Sequence, residues 1–187
     1  MSEVTRILES IENGDSTAAE KLLPLVYSEL RRLAAHKMSQ ESPNQTLQAT
    51  ALVHEAWLRL VGDANPKFDS RGHFFAAAAE AMRRILIDRA RRRRAIRHGG
   101  GQKRMNVEDI DLAAPDSDDQ LLAVSDALDK LAEQNPVKAE LVKLRYFAGM
   151  TLEEAAKVLN ISARTADSYW AHARAWLYRE IERDRQQ

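Results

Sequence analysis

Apolar residues along this chain recur at three- and four-residue intervals, and no stretch alternates strictly, so the pattern predicts helices throughout. Val4, Ile7, Leu8 and Ile11 make a short amphipathic helix that stops near Asn13-Gly14. Asp15 is placed to cap a second, with Leu23, Val26, Tyr27, Leu30, Leu33 and Ala34 inward and Pro24 at a kink or restart. SQESPNQT, residues 39–46, is a loop by composition. Residues 48–61 resume a helix with Ala49, Leu52, Val53, Ala56, Trp57 and Leu60 on one face and an i, i+4 pair, Glu55 and Arg59, on the other. A second loop, DANPKFDSRG at 63–72, precedes a long helix from about His73 to Ile96 that buries Phe74, Phe75, Ala78, Met82, Ile85 and Leu86.

Periodicity then lapses. Residues 98–120 combine three glycines, acids and a proline, and read as a flexible linker. Beyond it, Ser117 can cap a helix carrying Leu121, Val124, Leu128 and Leu131, and Asn135-Pro136 opens another that Gly149 closes. The fold class is therefore all-α, in two small helical domains. Residues 151–170 are the most specific segment. Thr151 and Glu154 form a capping box, and Leu152, Ala155, Ala156 and Leu159 share one face. Asn160 tolerates the left-handed conformation a sharp turn needs, and Ser162 caps a helix striped by Ala166, Trp170, Ala173 and Leu177. Small Ala156 and Ala166 let the two helices cross closely. The result is a helix-turn-helix whose outer face offers Arg164, Thr165, Ser168, Tyr169 and His172 to a major groove, with Asp167 discordant among them.

Net charge is zero, yet unevenly spread. Residues 1–98 hold 16 Lys+Arg against 12 Asp+Glu, residues 99–120 hold 2 against 6, and residues 121–187 balance at 10 each. Overall neutrality gives little nonspecific affinity for DNA, so contacts must be local patches. One patch is the later part of the long helix, with Arg83, Arg84, Arg89, Arg91, Arg92, Arg93, Arg94 and Arg97. A helix C-terminus favours cations, but this many repel one another without an anion nearby. Asn65, Lys67, Phe68, Arg71, His73 and Phe74 just upstream suit unstacked single-stranded bases better than closed duplex.

Other chemistry finds no support. The chain has no cysteine, which suits a reducing compartment and excludes cysteine-ligated zinc. His54-Glu55 begins like a zinc-protease motif, but Leu58 stands where the second ligand is needed. The five histidines lack metal-site spacing, and GGGQKR lacks the ending of a phosphate loop. We expect no enzymatic activity, no cofactor and no metal. Without a membrane-length apolar run, and with MSEVTRILES unlike a signal peptide, the expectation is a cytoplasmic protein that does not engage membranes.

This order of parts resembles a bacterial sigma factor of the extracytoplasmic-function group, over about residues 5–180. TALVHEAWLRL (50–60) is similar to the helix that family members dock on the clamp of RNA polymerase. FDSRGHFFAAAAEAMRRILIDRARRRRA (68–95) is similar to the segment that recognises and melts the −10 element, and residues 144–181 to the −35-binding helix-turn-helix. The resemblance implies residues 1–97 as region 2, 98–120 as the linker and 121–187 as region 4. It implies core polymerase and promoter DNA as partners, and commonly an anti-sigma protein. By it, Leu52, Val53, His54 and Glu55 meet polymerase; Asn65, Lys67, Phe68, Arg71, His73, Phe74, Arg83, Arg84, Arg91 and Arg94 meet the −10 element. Ser162, Arg164, Thr165, Ser168, Tyr169 and His172 meet the −35 element. His54, Asn160 and Asp167 depart from the usual family pattern. The alternative is a polymerase-independent helix-turn-helix regulator, for which residues 151–170 alone would suffice.

Overall fold

In a computed structural model, residues 6, 7, 10, 13, 17, 18, 21, 22, 24–27, 30, 31, 46–61, 68, 70–98 and 115–186 are described. Among them every regular element is helical, as the periodicity predicted. Helix α1 spans Thr46–Val61, α2 Arg71–His98, α3 Pro115–Gln134 and α4 Pro136–Val142. A π-helical turn, Lys143–Phe147, follows, then α5, Leu152–Val158, and α6, Ala163–Arg185. Residues 39–45 of the loop predicted at 39–46 lie outside the described residues, while Thr46 already opens α1. Most of the loop predicted at 63–72 also lies outside them, but its Arg71 and Gly72 are helical, and residues 99–114 of the linker are not described.

Local chemistry accounts for most boundaries. Asn135 accepts from the Lys138 amide at 3.1 Å with Pro136 at the first helical position, so α4 starts where the sequence placed it. Gly149, at φ 73°, closes that stretch. The single helix expected between them instead widens into the π-helical turn, where the Ala148 amide reaches the Lys143 carbonyl at 3.2 Å. Helix α3 begins at Pro115, so the last residues assigned to the linker are helical and Ser117 lies inside the helix rather than capping it. Proline at the first turn gives up no intrahelical bond there.

Helix α2 is the spine of the molecule. Its first half packs Phe74, Phe75, Ala78, Met82 and Ile85 with Leu22, Val26 and Leu30, with Leu52, Val53 and Trp57 of α1, and with Leu141, Leu144, Met150 and Ala155. Its second half sends Ile87 and Ala90 into a cluster with Leu122, Leu128, Leu131, Phe147, Ala173 and Leu177. Each fully buried phenylalanine or leucine contributes roughly 1.5–3 kcal/mol. Both clusters therefore draw on residues from before and after the linker, and the two halves share apolar packing along one helix.

That closeness is tightest at Gly72. A Cβ there would stand 2.6 Å from the Val158 carbonyl oxygen of α5, closer than any side chain tolerates. Glycine at this position lets α2 and α5 meet backbone to backbone.

Candidate nucleic-acid interface

The turn between α5 and α6 is closed by bonds that its residue types allow. Thr151 and Glu154 exchange the two bonds of a capping box, at 2.8 and 3.2 Å. At the far end Asn160 takes φ 53°; its amide donates to Lys157 O at 3.2 Å, and the Ile161 amide donates to Ala156 O at 3.0 Å. Those two bonds make a Schellman motif, satisfying carbonyls that the helix end leaves open. Ser162 then accepts from the Thr165 amide at 3.0 Å and starts α6. A four-residue link, Leu159 to Ser162, thus aims the two helices through the left-handed Asn160 and the Ser162 cap.

Six residues of this unit were expected at DNA, and the fold divides them. Arg164, Ser168 and His172 are exposed on α6, with Asp167 exposed nearby. Ser162 and Thr165 serve the cap, their hydroxyls 2.8 Å apart. Tyr169 is half-buried against the first core cluster, with the Lys138 ammonium 5.2 Å from its ring centre. Arg145 lies behind α6, its guanidinium 4.6 Å over Trp170. Burial, with neighbouring Arg174, lowers the pKa of Arg145.

The N-terminal end of α2 separates in the same way. Ser70 caps it, accepting from the His73 amide at 3.1 Å. His73 is exposed and Arg71 half-buried, with its guanidinium 5.1 Å from the Phe75 ring centre. Phe68 and Phe74 are core residues, edge to face at 5.3 Å, and have no free ring face for a base. Asn65 and Lys67 lie outside the described residues.

Farther along α2, carboxylates of the chain itself meet the arginines. Arg83 is only 8% exposed; it donates to the Ser125 hydroxyl at 2.8 Å, the Ser125 carbonyl at 3.1 Å and Asp129 at 2.6 Å. Arg93 bonds Asp118 at 2.7 Å, and Arg94 lies 3.6 Å from Asp119. Arg84 pairs with Glu80 at 3.0 Å, and Arg89 with Glu55 at 3.0 Å. Burial pushes the Glu80 carboxyl up, but Lys143 at 3.1 Å, with Arg84 and Arg83, outweighs it and leaves the pKa below the usual value. Arg91 and Arg94, with Ala95, Leu122 and Asp126, line an open cleft of about 450 Å³ between α2 and α3. The anion that so many arginines require is in part supplied by α3, 25 to 46 residues away in sequence.

On α1, Leu52 and Val53 are fully buried and hold the helix to the core, while His54 is exposed. Glu55 is half-buried and bridges Arg59 at 3.1 Å and Arg89 at 3.0 Å. The sequence reading passed over Leu58, which is 57% exposed. With Ala51 and His54 it forms an exposed stripe at i, i+3 and i+7, and its polar-face position was the signal available. Among the described residues no His, Cys, Asp and Glu group has metal-site geometry, and no helix is long and apolar enough to cross a membrane.

Compared with known families, residues 1–183 match a family model described as ECF sigma factor. No curated protein matches the chain.

Proposed function

The chain belongs to the ECF sigma factor family, whose members act in transcription initiation, and from that premise we propose that it binds core RNA polymerase and directs it to promoters with −10 and −35 elements. The match over residues 1–183 supports this reading, because it spans both α1 and the α5–α6 unit. In it the exposed face of α1, with His54, Glu55 and Leu58, meets the polymerase clamp. Leu52 and Val53 act from behind by fixing that face. The start of α2, with Arg71 and His73, meets the −10 element, together with Asn65 and Lys67 before it. Arg84, Arg91 and Arg94 follow the adjacent backbone. On α6, Arg164, Ser168 and His172 read or clamp the major groove at −35.

The protein itself does no bond chemistry in this role. Its contribution is positional: each DNA contact is weak, and holding one element raises the effective concentration of the other. Run-off transcription tests the reading. Purified core polymerase is given fragmented genomic templates with and without the chain. Defined transcripts that need both components support it. Silence from that mixture, with a dimer of the chain protecting a palindrome unaided, would replace it with a polymerase-independent regulator.

A further inference from the structure

Resting on the reading of α6 as the −35 reader, we infer that Asp167 sets specificity there. Its carboxylate accepts from the N4 amino group of a cytosine, one or two base pairs from a guanine that Arg164 reads.

Among the described residues no bond within the chain uses this acid's side chain. Ser162 caps α6, and the first turn of the helix, where the dipole favours an acid, holds none. Asp167 lies beyond that turn and is exposed. Arg164, three residues back, is placed to neutralise it as an i, i+3 pair. Yet neither side chain makes an ion pair or hydrogen bond among the described residues.

The helix sets where the carboxylate points. Buried Ala166 and Ala173 fix the inner face of α6, so the outward row is Arg164, Ser168, Ala171 and Ala175, all exposed. At about 100° per residue, Asp167 stands roughly 60° to one side of Arg164 and His172 roughly 80° to the other. Helical side chains lean toward the N-terminus, and the N-terminal part of a recognition helix touches base edges. Small Ser168 and Ala171 beside Asp167 leave a base pair room to approach.

Hydrogen-bond chemistry then selects the base. An ionised carboxylate only accepts, so it is repelled by phosphate and needs a donor. Guanine shows it two acceptors in the major groove, and thymine an acceptor and a methyl group. Adenine's amino group is flanked by acceptors on both sides, its own N7 and the O4 of its thymine. Cytosine's is flanked on one side only, by the O6 of its guanine, which leaves cytosine the best partner. Arg164, with the opposite chemistry, forks onto guanine O6 and N7. Side chains at i, i+3 start about 5–6 Å apart, against a rise of about 3.4 Å per base pair, so the two contacts fall one or two steps apart.

The test is selection from a pool of random duplexes, run with the chain plus core polymerase and with the chain alone. The parent should enrich a cytosine one or two steps from a guanine. Asp167→Asn should move the preference at that single position from cytosine to adenine, because asparagine pairs with adenine N6 and N7. On the selected duplex, changing the cytosine to thymine should cost the parent about fivefold or more in affinity, and Asp167→Ala less than about twofold. One motif shared by the parent and Asp167→Asn overturns the inference. So does an asparagine variant that binds every sequence more tightly by the same factor, which would put the carboxylate beside a phosphate. A pool that stays random in both arms overturns it too. A motif that needs polymerase but ignores Asp167 leaves the sigma reading intact and rejects the cytosine contact. Enrichment that polymerase does not improve counts against the sigma reading, and the motif of the chain alone then decides the cytosine contact.

Discussion

Arg83 and Ser125, 42 residues apart, are joined through both the hydroxyl and the carbonyl of the serine. No arginine placed for DNA should be held this way. Asp129 completes the shell at 2.6 Å, and the guanidinium is nearly buried. Arg83→Ala should therefore destabilise the chain by about 2 kcal/mol, mainly by leaving Ser125 and Asp129 without their donor. Asp129 is largely exposed, which keeps the loss below that of a fully buried pair. Arg84→Ala, at a 70% exposed side chain, should change stability by no more than about 0.5 kcal/mol. Urea unfolding of both variants checks the contrast, and equal midpoints would refute it.

For the reader helix, Arg164→Ala should reduce discrimination between matched and altered −35 sequences by about 1–3 kcal/mol, if the guanidinium makes a bidentate base contact. Binding is measured with the polymerase complex on both duplexes. Equal losses on the two would assign Arg164 to phosphate instead.

Leu58→Asp should weaken capture of core polymerase while circular dichroism and thermal midpoint stay near those of the parent. The side chain is mostly in water already, so the fold has little to lose. Glu55 is a less clean probe, because it also ties α1 to Arg89 of α2. Undiminished capture by Leu58→Asp would remove the exposed stripe of α1 from the polymerase contact.

What could be read in advance was whatever is decided within a few residues. Thr151 with Glu154, Asn160, and Ser162 with Thr165 form a unit whose every bond spans five residues or fewer, and the structure has each of them. Phe68 was harder. An aromatic residue among basic ones suits a base platform or a core equally, and only the fold shows Phe68 facing inward, whereas the helical period already put Phe74 in the core. Arg83 could not have been separated from its neighbours, since its partners arrive from a helix beyond the linker. Gly72 gave no sequence signal, because the backbone it accommodates is 86 residues away.

Asn160 offers a local test of the turn. Its φ of 53° lies where residues with a Cβ are strained, and asparagine bears that strain better than most. Asn160→Gly should stabilise the chain by up to about 1 kcal/mol, and Asn160→Val should destabilise it by about 1–2 kcal/mol. Thermal or urea unfolding reads both signs. A valine variant as stable as the parent would mean that the link has another conformation in solution.

Acid should loosen the contact between α2 and the π-helical turn, and the sign follows from Glu80. Its folded-state pKa lies below the reference 4.5, since Lys143, Arg84 and Arg83 outweigh the cost of burial. A depressed carboxyl contributes stability that is present above its unfolded pKa and lost as pH falls through its folded one. Glu80→Gln removes that contribution at every pH. The gap in urea midpoint between parent and variant should stay level from about pH 8 to 5, then narrow below about pH 4.5. Closing of the gap in acid would also bear on the shared core, because the Lys143 ammonium reaches Glu80 only while the C-terminal half lies against α2. A gap constant down to pH 3 would mean that this ion pair is not formed in the free protein.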